Sequence, residues 1–236
     1  CSYIFTIAVL VFVFTSCTDV LDQDPVSTFN EQVVFADINV TKAYLGKCYD
    51  RLGGNTDNGI LGMREDLLSS GTDRTLSPDQ LGYFANTGYA GFLRWPFIYQ
   101  NIQNINTILG GIDDVPTPTS AEQDLQKQIK GEAYFLRAFE YAMILMNYGG
   151  AVIATEPFVL GGEFLTIKRS TLQETLDQVL SDINDALANL PAKMEQGRAT
   201  RGAAAALKSR VLLFCASNLV NGGYEPTKTL VSFGTS

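Results

Sequence analysis

Histidine is absent from all 236 residues of the chain. This absence excludes a Ser-His-Asp or Cys-His catalytic site, a histidine-ligated zinc and a histidine general base, and so removes most hydrolase templates. Basic residues are also in deficit, because 17 Lys and Arg stand against 25 Asp and Glu and give a net charge of −8. Nucleic-acid binding needs a basic stripe, which the sequence lacks. We therefore expect no nucleic-acid partner.

Cysteine is scarce, with four in the chain. Cys1 and Cys17 lie in or at an apolar leader, so Cys48 and Cys215 are the pair that remains for a disulfide. Each of these two falls on the apolar side of a helical pattern. That position favours two buried free thiols over a bridge.

The apolar run of the leader is too short to cross a membrane. Tyr3 to Phe14 is an uncharged run of twelve residues, whereas a span needs roughly 20. It leads into a small residue and Cys17 before the sequence turns polar, as a secretory signal does. Residues 14–17 resemble a bacterial lipoprotein cleavage box. We predict a signal peptide with a truncated n-region over residues 1–16 and a lipid on Cys17; the alternative is an ordinary cleaved signal with an incidental cysteine.

Five segments repeat apolar residues with the 3.6-residue period of a helix, and no comparable stretch alternates with period two. The sequence therefore predicts an all-α fold. One side of the second segment is rich in Asn and Gln. The expected helices cover about 37–52, 95–109, 120–148, 171–190 and 203–219.

Two pairs of residues have the spacing of a capping box, in which a hydroxyl and a carboxylate or amide satisfy free N–H groups at a helix start. Thr171 and Glu174 form one pair, and Pro191 ends the same helix. Ser120 and Gln123 form the other pair. We therefore predict that Ser120 is the N-cap of the longest helix.

The second half of the longest helix is apolar on almost every face, so we expect it to be central and covered by other helices. Gly149 and Gly150 follow it and permit the positive φ of a C-terminal cap. Glu132 and Arg137 lie inside this helix, where charged groups usually pair and fix packing. Glu140, three residues after Arg137, is the predicted partner of that arginine.

A long non-periodic stretch, residues 53–94, separates the first two predicted helices. It has eight glycines and many Asn, Thr, Asp and Ser residues. Stretches of this length are uncommon in compact domains unless they are functional or disordered. We expect an elaborated loop with a short helix over residues 60–68.

Four blocks of sequence occur in the order and spacing of one family. They are the acidic stretch 17–25 after the leader, residues 95–106, residues 130–141 with the Gly-Gly turn beyond them, and residues 197–213. Together these blocks resemble the SusD/RagB group of outer-membrane nutrient-binding lipoproteins of the Bacteroidetes. The third block, KGEAYFLRAFEY, is the most specific of the four.

The resemblance implies a right-handed stack of tetratricopeptide-like helix pairs with long loop insertions. It also implies a surface lipoprotein that captures an oligosaccharide or other nutrient for a SusC-like TonB-dependent transporter of the outer membrane. On this basis residues 17–32 are a lipidated tether, and residues 33–236 are the N-terminal part of a helical domain that is incomplete at its C-terminus. A non-enzymatic protein without cofactor or metal is expected.

Recognition of a glycan needs aromatic faces that stack on sugar C–H surfaces and planar polar groups that bond pairs of hydroxyls. The stretch 53–94 carries both kinds, although loop aromatics often fold back onto the helices beneath. Trp95 is a further candidate, but its place on the apolar seam of its helix also fits a core residue. The predicted ligand residues of the loop are Tyr83, Phe84 and Tyr89 for stacking, with Asp73, Arg74 and Asn86 as polar partners.

Two other functions stay open at this point. One is a helical-repeat scaffold of an outer-membrane complex that binds protein and no sugar. The other is an unusual glycoside hydrolase that uses two carboxylates, for which Asp113 and Asp114 or Glu65 and Asp66 are visible pairs. Adjacent acids in polar loops are usually solvated, so a binding protein is the leading hypothesis.

Overall fold

The computed structural model describes residues 31–52, 95–158 and 167–221. Within these ranges every regular element is helical, so the all-α prediction is confirmed. A short 3₁₀ turn, Ile112–Asp114, follows the third helix. The α-helices are α1 Glu31–Val34, α2 Ile38–Asp50, α3 Trp95–Gly111, α4 Ser120–Tyr148, α5 Leu172–Asn189, α6 Arg201–Cys215 and α7 Asn218–Asn221.

The start of α5 is as predicted, whereas the predicted start of α4 is wrong by one residue. Thr171 accepts a hydrogen bond from the Glu174 N–H, and the Glu174 carboxylate accepts one from the Thr171 N–H at 2.7 Å. At α4 the reciprocal pair is Thr119 and Glu122 rather than Ser120 and Gln123. Thr119 has the extended backbone that an N-cap requires, with φ −109° and ψ 154°, while the next residue is already helical.

The other helix ends differ little from expectation. Gly149 has φ 80° and caps the C-terminus of α4, as predicted. Helix α6 begins two residues earlier than its apolar pattern, because Thr200 accepts a hydrogen bond from the Ala203 N–H at 3.1 Å and sets the N-cap. It ends at Cys215, and the separate short helix α7 follows.

Helix α4 is the centre of the described part of the molecule, as predicted. It packs against α2, α3, α5 and α6. Apolar side chains fill the space on two sides of it. One cluster joins its second half to α3, α5 and α6, with Ile98, Tyr141, Ile144, Val179 and Val211 fully buried. The other joins α4 to α2 and the end of α3, and its fully buried members include Leu45, Ile105, Ile108, Ile129 and Leu136.

Two further observations concern the cysteines and the length of the helices. Cys48 and Cys215 are both free and buried, which confirms the prediction of structural thiols. Burial raises the pKa of the Cys48 thiol to about 12, so this cysteine is inert at neutral pH. Among the described helices, none combines the length and apolarity that a bilayer span requires.

One glycine sets how closely α4 and α5 approach. A Cβ atom on Gly131 of α4 would lie 2.9 Å from the Cβ of Asn189 and 3.0 Å from the Leu190 nitrogen at the end of α5. Such distances are shorter than ordinary contact, and the Leu190 nitrogen belongs to a backbone that cannot simply rotate away. Gly131 therefore allows the last turn of α5 to rest directly on α4.

Candidate functional site

Most of the predicted site residues lie outside the described parts of the chain. Trp95, the first residue of α3, is described. The predicted lipidation site and the six predicted loop ligands are outside the described residues: Cys17, Asp73, Arg74, Tyr83, Phe84, Asn86 and Tyr89.

Trp95 belongs to a group of four side chains that we call the aromatic corner: Trp95, Tyr99, Tyr148 and Arg169. The Trp95 ring meets Tyr148 edge to face, with centroids 5.2 Å apart, and lies tilted against Tyr99 at 5.0 Å. The Arg169 guanidinium is 5.7 Å from the centroid of the Trp95 ring. These are favourable geometries for aromatic pairs and for a cation over a ring.

The aromatic corner is held in place by backbone atoms at the end of α4. Arg169 donates to the carbonyls of Gly150, at 2.8 Å, and Tyr148, at 2.5 Å. A cation at this position also complements the negative end of the helix dipole. The Tyr99 hydroxyl accepts from the Val152 N–H and donates to the Val152 carbonyl, and burial raises its pKa to about 12. The hydroxyl is therefore a neutral donor and acceptor at physiological pH.

Trp95 is neither wholly core nor wholly surface. It is half-buried and packs against the cluster that joins α3, α4, α5 and α6. Its indole lies beside the Arg169 guanidinium, and Trp95 is the residue that directly follows the stretch 53–94. An aromatic face beside a planar cation is the kind of surface on which a sugar can stack and be hydrogen-bonded.

The irregular segment 151–158 is fixed to α3 and α4 by side chains. Tyr99 and Tyr141 each bond both backbone groups of one residue, Val152 and Ala154 respectively; the Tyr141 hydroxyl accepts at 2.7 Å and donates at 2.9 Å. Gln103 accepts from the Phe158 N–H at 2.6 Å. The segment therefore has its buried backbone groups satisfied without belonging to a helix or a sheet.

A buried ion pair between α4 and α5 also contacts segment 151–158. Arg137 of α4 donates twice to the Asp182 carboxylate of α5, at 2.7 and 2.9 Å. It also donates to the Asn106 side chain and to the Thr155 carbonyl. Burial works to lower the pKa of Arg137, but the bonds and charge of Asp182 raise it above its ordinary value. The predicted partner Glu140 is wrong, because Asp182 offers both oxygens across the helix interface.

Glu132 forms a second buried ion pair on another side of α4. Its carboxylate lies 2.7 Å from the Arg198 Nε and accepts from the Tyr49 hydroxyl at 2.5 Å. The Tyr49 hydroxyl also accepts from the Ala199 N–H, and the Arg198 guanidinium stacks over the Tyr49 ring at 4.8 Å. This group ties α2, α4 and the chain before α6 together. Its role is structural, as expected for charges inside the central helix.

Glu140 is buried differently from Glu132 and Arg137, the other two buried charged residues of α4. Its side chain is fully buried and accepts from the Asn101 amide of α3 at 2.6 Å. Burial raises the pKa of this carboxyl to about 8, and the hydrogen bond from Asn101 offsets only part of the effect. Asn101 and Asn106, from the amide-rich side of α3, are thus both interior residues.

The chain also matches known proteins in both sequence and fold. The sequence profile of the SusD-like family described as "starch-binding associating with outer membrane" matches residues 78–213. This chain belongs to that SusD-like family. The resemblance drawn from the four sequence blocks is thereby confirmed. The SusD-like proteins P25 and P38 of Formosa agariphila are each 28% identical to it, over 222 and 206 residues.

The match extends over most of this chain but over less than half of its relatives. It covers 86% of the chain and 41% of protein P25, and 80% of the chain and 37% of protein P38. The chain thus spans about two fifths of the length of these curated SusD-like relatives.

Solved structures of SusD-like proteins share the fold. A SusD-like protein from Bacteroides fragilis superimposes with a TM-score of 0.64 and 26% identity, over 81% of this chain and 38% of its own. A laminarin-binding SusD-like protein gives a TM-score of 0.59 at 23% identity, over 76% of this chain and 40% of its own. A SusD-like carbohydrate-binding protein from Bacteroides vulgatus gives 0.60 at 20% identity, over 76% and 42%.

Within this SusD-like chain, sequence reasoning missed Tyr99, Tyr148 and Arg169. Tyr99 had a local signal, because it lies four residues after Trp95 and so on the same side of the helix. Tyr148 and Arg169 had none, since they are 53 and 74 positions from Trp95 in the sequence. Their approach depends on how α3 crosses the end of α4.

No catalytic constellation stands out in the described residues. Asp113, one of the acids considered for a hydrolase, binds Lys130 at 2.6 Å in an exposed ion pair, as solvated loop acids commonly do. In the same parts of the chain no group of Cys, Asp or Glu residues is arranged to hold a metal ion.

Proposed function

We propose that this chain binds a glycan at the outer membrane and does not turn it over. The observation that carries the proposal is membership of a family described as starch-binding and associated with the outer membrane. A relative with the same fold is described as laminarin-binding. Starch is an α-linked glucan and laminarin a β-linked one. Glucans of both kinds are therefore the first ligands to test.

Of the residues that the structure describes, we propose that those of the aromatic corner contact the ligand. It combines a half-buried indole with a guanidinium that two backbone carbonyls hold in position. Because Arg169 is already fixed, little side-chain entropy would be lost when a sugar binds. Trp95 also adjoins the stretch 53–94, to which the other proposed ligand residues belong.

Calorimetry tests this proposal on the purified chain with malto-oligosaccharides and laminarin oligosaccharides. We expect binding of at least one series, and about tenfold weaker binding by the Trp95→Ala variant, equivalent to about 1.4 kcal/mol. Leu213→Ala is the control, since it removes a side chain that is 75% exposed on α6 and should leave affinity unchanged.

Two results would contradict the proposal in different ways. Binding that is equal in wild type, Trp95→Ala and Leu213→Ala would remove the aromatic corner from the ligand surface. Absence of binding to every glycan, together with co-purification of a transporter, would favour the protein-interaction scaffold. Release of reducing ends from starch or laminarin by the purified chain would indicate an enzyme.

We also propose that Cys17 carries a lipid that anchors the protein beside a SusC-like TonB-dependent transporter. The support is the apolar leader, the polar residues that follow Cys17 and the family's association with the outer membrane. Labelling with radioactive palmitate in a bacterial host, with Cys17→Ala as the control, tests the anchor. Equal labelling of the variant would contradict it. Co-purification of the transporter with the tagged wild type tests the partnership.

A further inference from the structure

Glu140 and Asn101 share a buried contact that uses half of their polar atoms. The Asn101 Nδ2 atom has two hydrogens and donates to Glu140 Oε1 at 2.6 Å and to the Cys48 carbonyl at 3.1 Å. Both side chains are fully buried. The donors of the amide are therefore used up.

The other two atoms of this contact have no hydrogen-bond partner. Glu140 Oε2 and Asn101 Oδ1 are buried, and each lacks one. Unsatisfied buried polar atoms are rare in folded proteins, so two of them in one contact require an explanation. Both atoms are acceptors if the carboxyl is ionised. One proton on Oε2 makes it a donor, and Oδ1 is the free acceptor on the amide that Glu140 already contacts.

The orientation of the amide supports this assignment. If the Asn101 amide were turned over, its oxygen would face Glu140 Oε1 and the Cys48 carbonyl, which are both acceptors. The orientation with Nδ2 between these two oxygens is therefore the one that the surroundings favour. It leaves Oδ1 available to accept from the carboxylic acid.

No cation is available to hold Glu140 in its charged form among the residues that the structure describes around it. From α2 the residue that faces it is Cys48, whose thiol is neutral, and from α3 it is Asn101. Arg137 is bonded to Asp182 of α5, and Arg198, ahead of α6, is bonded to Glu132. Lys47 and Arg51 of α2 lower the pKa of Cys48 but do not offset the effect of burial on Glu140.

We propose that Glu140 is a neutral carboxylic acid in the folded protein, paired with the Asn101 amide by two hydrogen bonds, and that its ionisation loosens the junction of α2, α3 and α4 at alkaline pH. The Asn101 N–H donates to Oε1, and the Glu140 O–H donates to Oδ1. Loss of the proton replaces the second bond by repulsion between two oxygens and leaves an unpaired charge in the core. This proposal is independent of ligand binding.

The direction of the pH effect follows from the shifted group. The ordinary pKa of a glutamate is 4.5, and burial raises that of Glu140 to about 8. Between these values the unfolded chain has lost a proton that the folded chain keeps. The stability of the wild type should therefore fall as pH rises from about 4.5 to about 8 and then level off.

Urea unfolding of the full chain between pH 5 and pH 9 tests the proposal with Glu140→Gln, which keeps a donor and an acceptor but cannot ionise. We expect the urea midpoint of this variant to gain steadily on that of the wild type up to about pH 8. The control is Asp124→Asn on the exposed side of the same helix. Its difference from wild type should not grow in this way. Parallel curves for wild type and Glu140→Gln would overturn the proposal.

A second measurement on the wild type decides the matter even if Glu140→Gln fails to fold. Glutamate labelled with ¹³C at the side-chain carboxyl allows each group to be titrated by NMR, with signals assigned through the backbone. We expect the Glu140 carboxyl to keep its proton at pH 6 and to titrate near pH 8. A Glu140 signal that is already ionised at pH 6 would overturn the proposal.

Discussion

Two sides of α4 each bury an ionisable side chain, but the partners of that side chain differ. On the side of α5, Arg137 is buried against Asp182, which supplies an opposite charge and two hydrogen bonds. On the side of α2 and α3, the Glu140 carboxyl accepts a hydrogen bond from the Asn101 amide, and among the described residues no cation is paired with it. The difference teaches that a fixed counter-charge opposes the effect of burial: burial raises the pKa of the Asp182 carboxyl, and the hydrogen bonds and charge of Arg137 act to lower it. At Glu140, which has no such partner among the described residues, burial raises the pKa of the carboxyl and so favours the neutral acid.

The largest effect is expected when the charged side is broken. Arg137→Met leaves Asp182 buried without a cation and should lower the free energy of unfolding by about 3–5 kcal/mol, measured with urea at pH 7. The double variant Arg137→Met with Asp182→Leu removes both charges and should recover a large part of this loss. If the single and double variants were equally unstable, packing rather than the unpaired charge would be the cause.

A smaller effect is expected from the packing of α4 against α5. Gly131→Ala places a Cβ atom against Asn189 and the Leu190 backbone and should cost about 1–3 kcal/mol in urea unfolding. Gly46→Ala on α2 is the matched control, because a Cβ atom added there would meet no atom within 4 Å. At that position the lower flexibility of alanine in the unfolded chain should add about 0.5–1 kcal/mol. Equal effects at the two glycines would disprove the close approach.

The smallest effect concerns the start of α4, outside both of its packed sides. Thr119→Ala removes the N-cap and should cost about 1 kcal/mol in thermal or urea unfolding. Ser120→Ala, one residue later, should change stability by less than about 0.5 kcal/mol. The opposite ranking would restore the cap that the sequence alone predicts.

The helices could be predicted because their signals are local. The apolar period and the Thr171 capping box need only neighbouring residues, and both hold in the structure. The partner of Arg137 could not be predicted in this way. Glu140 is three positions from it and Asp182 is 45, and spacing alone favours the nearer residue. Which of the two faces the guanidinium depends on the packing of α4 against α5.

In the candidate site, too, one residue could be predicted from local sequence and another could not. Trp95 was identifiable by its type and position, whereas Arg169 is brought to it by the turn at the end of α4. The segments that carry the family resemblance include Asn101, Glu132, Arg137 and Arg198, which are interior or partly buried partners. A sequence match of this kind therefore reports the fold more directly than the ligand.

The two tyrosines that hold segment 151–158 have a consequence for amide hydrogen exchange. The N–H groups of Val152 and Ala154 donate to tyrosine hydroxyls, and that of Phe158 donates to a glutamine side chain. Amides outside helices and sheets usually exchange quickly with solvent. We expect these three amides to exchange slowly, because each becomes free only when α3 and α4 separate from the segment. Their exchange rates would therefore report the opening of the helical core.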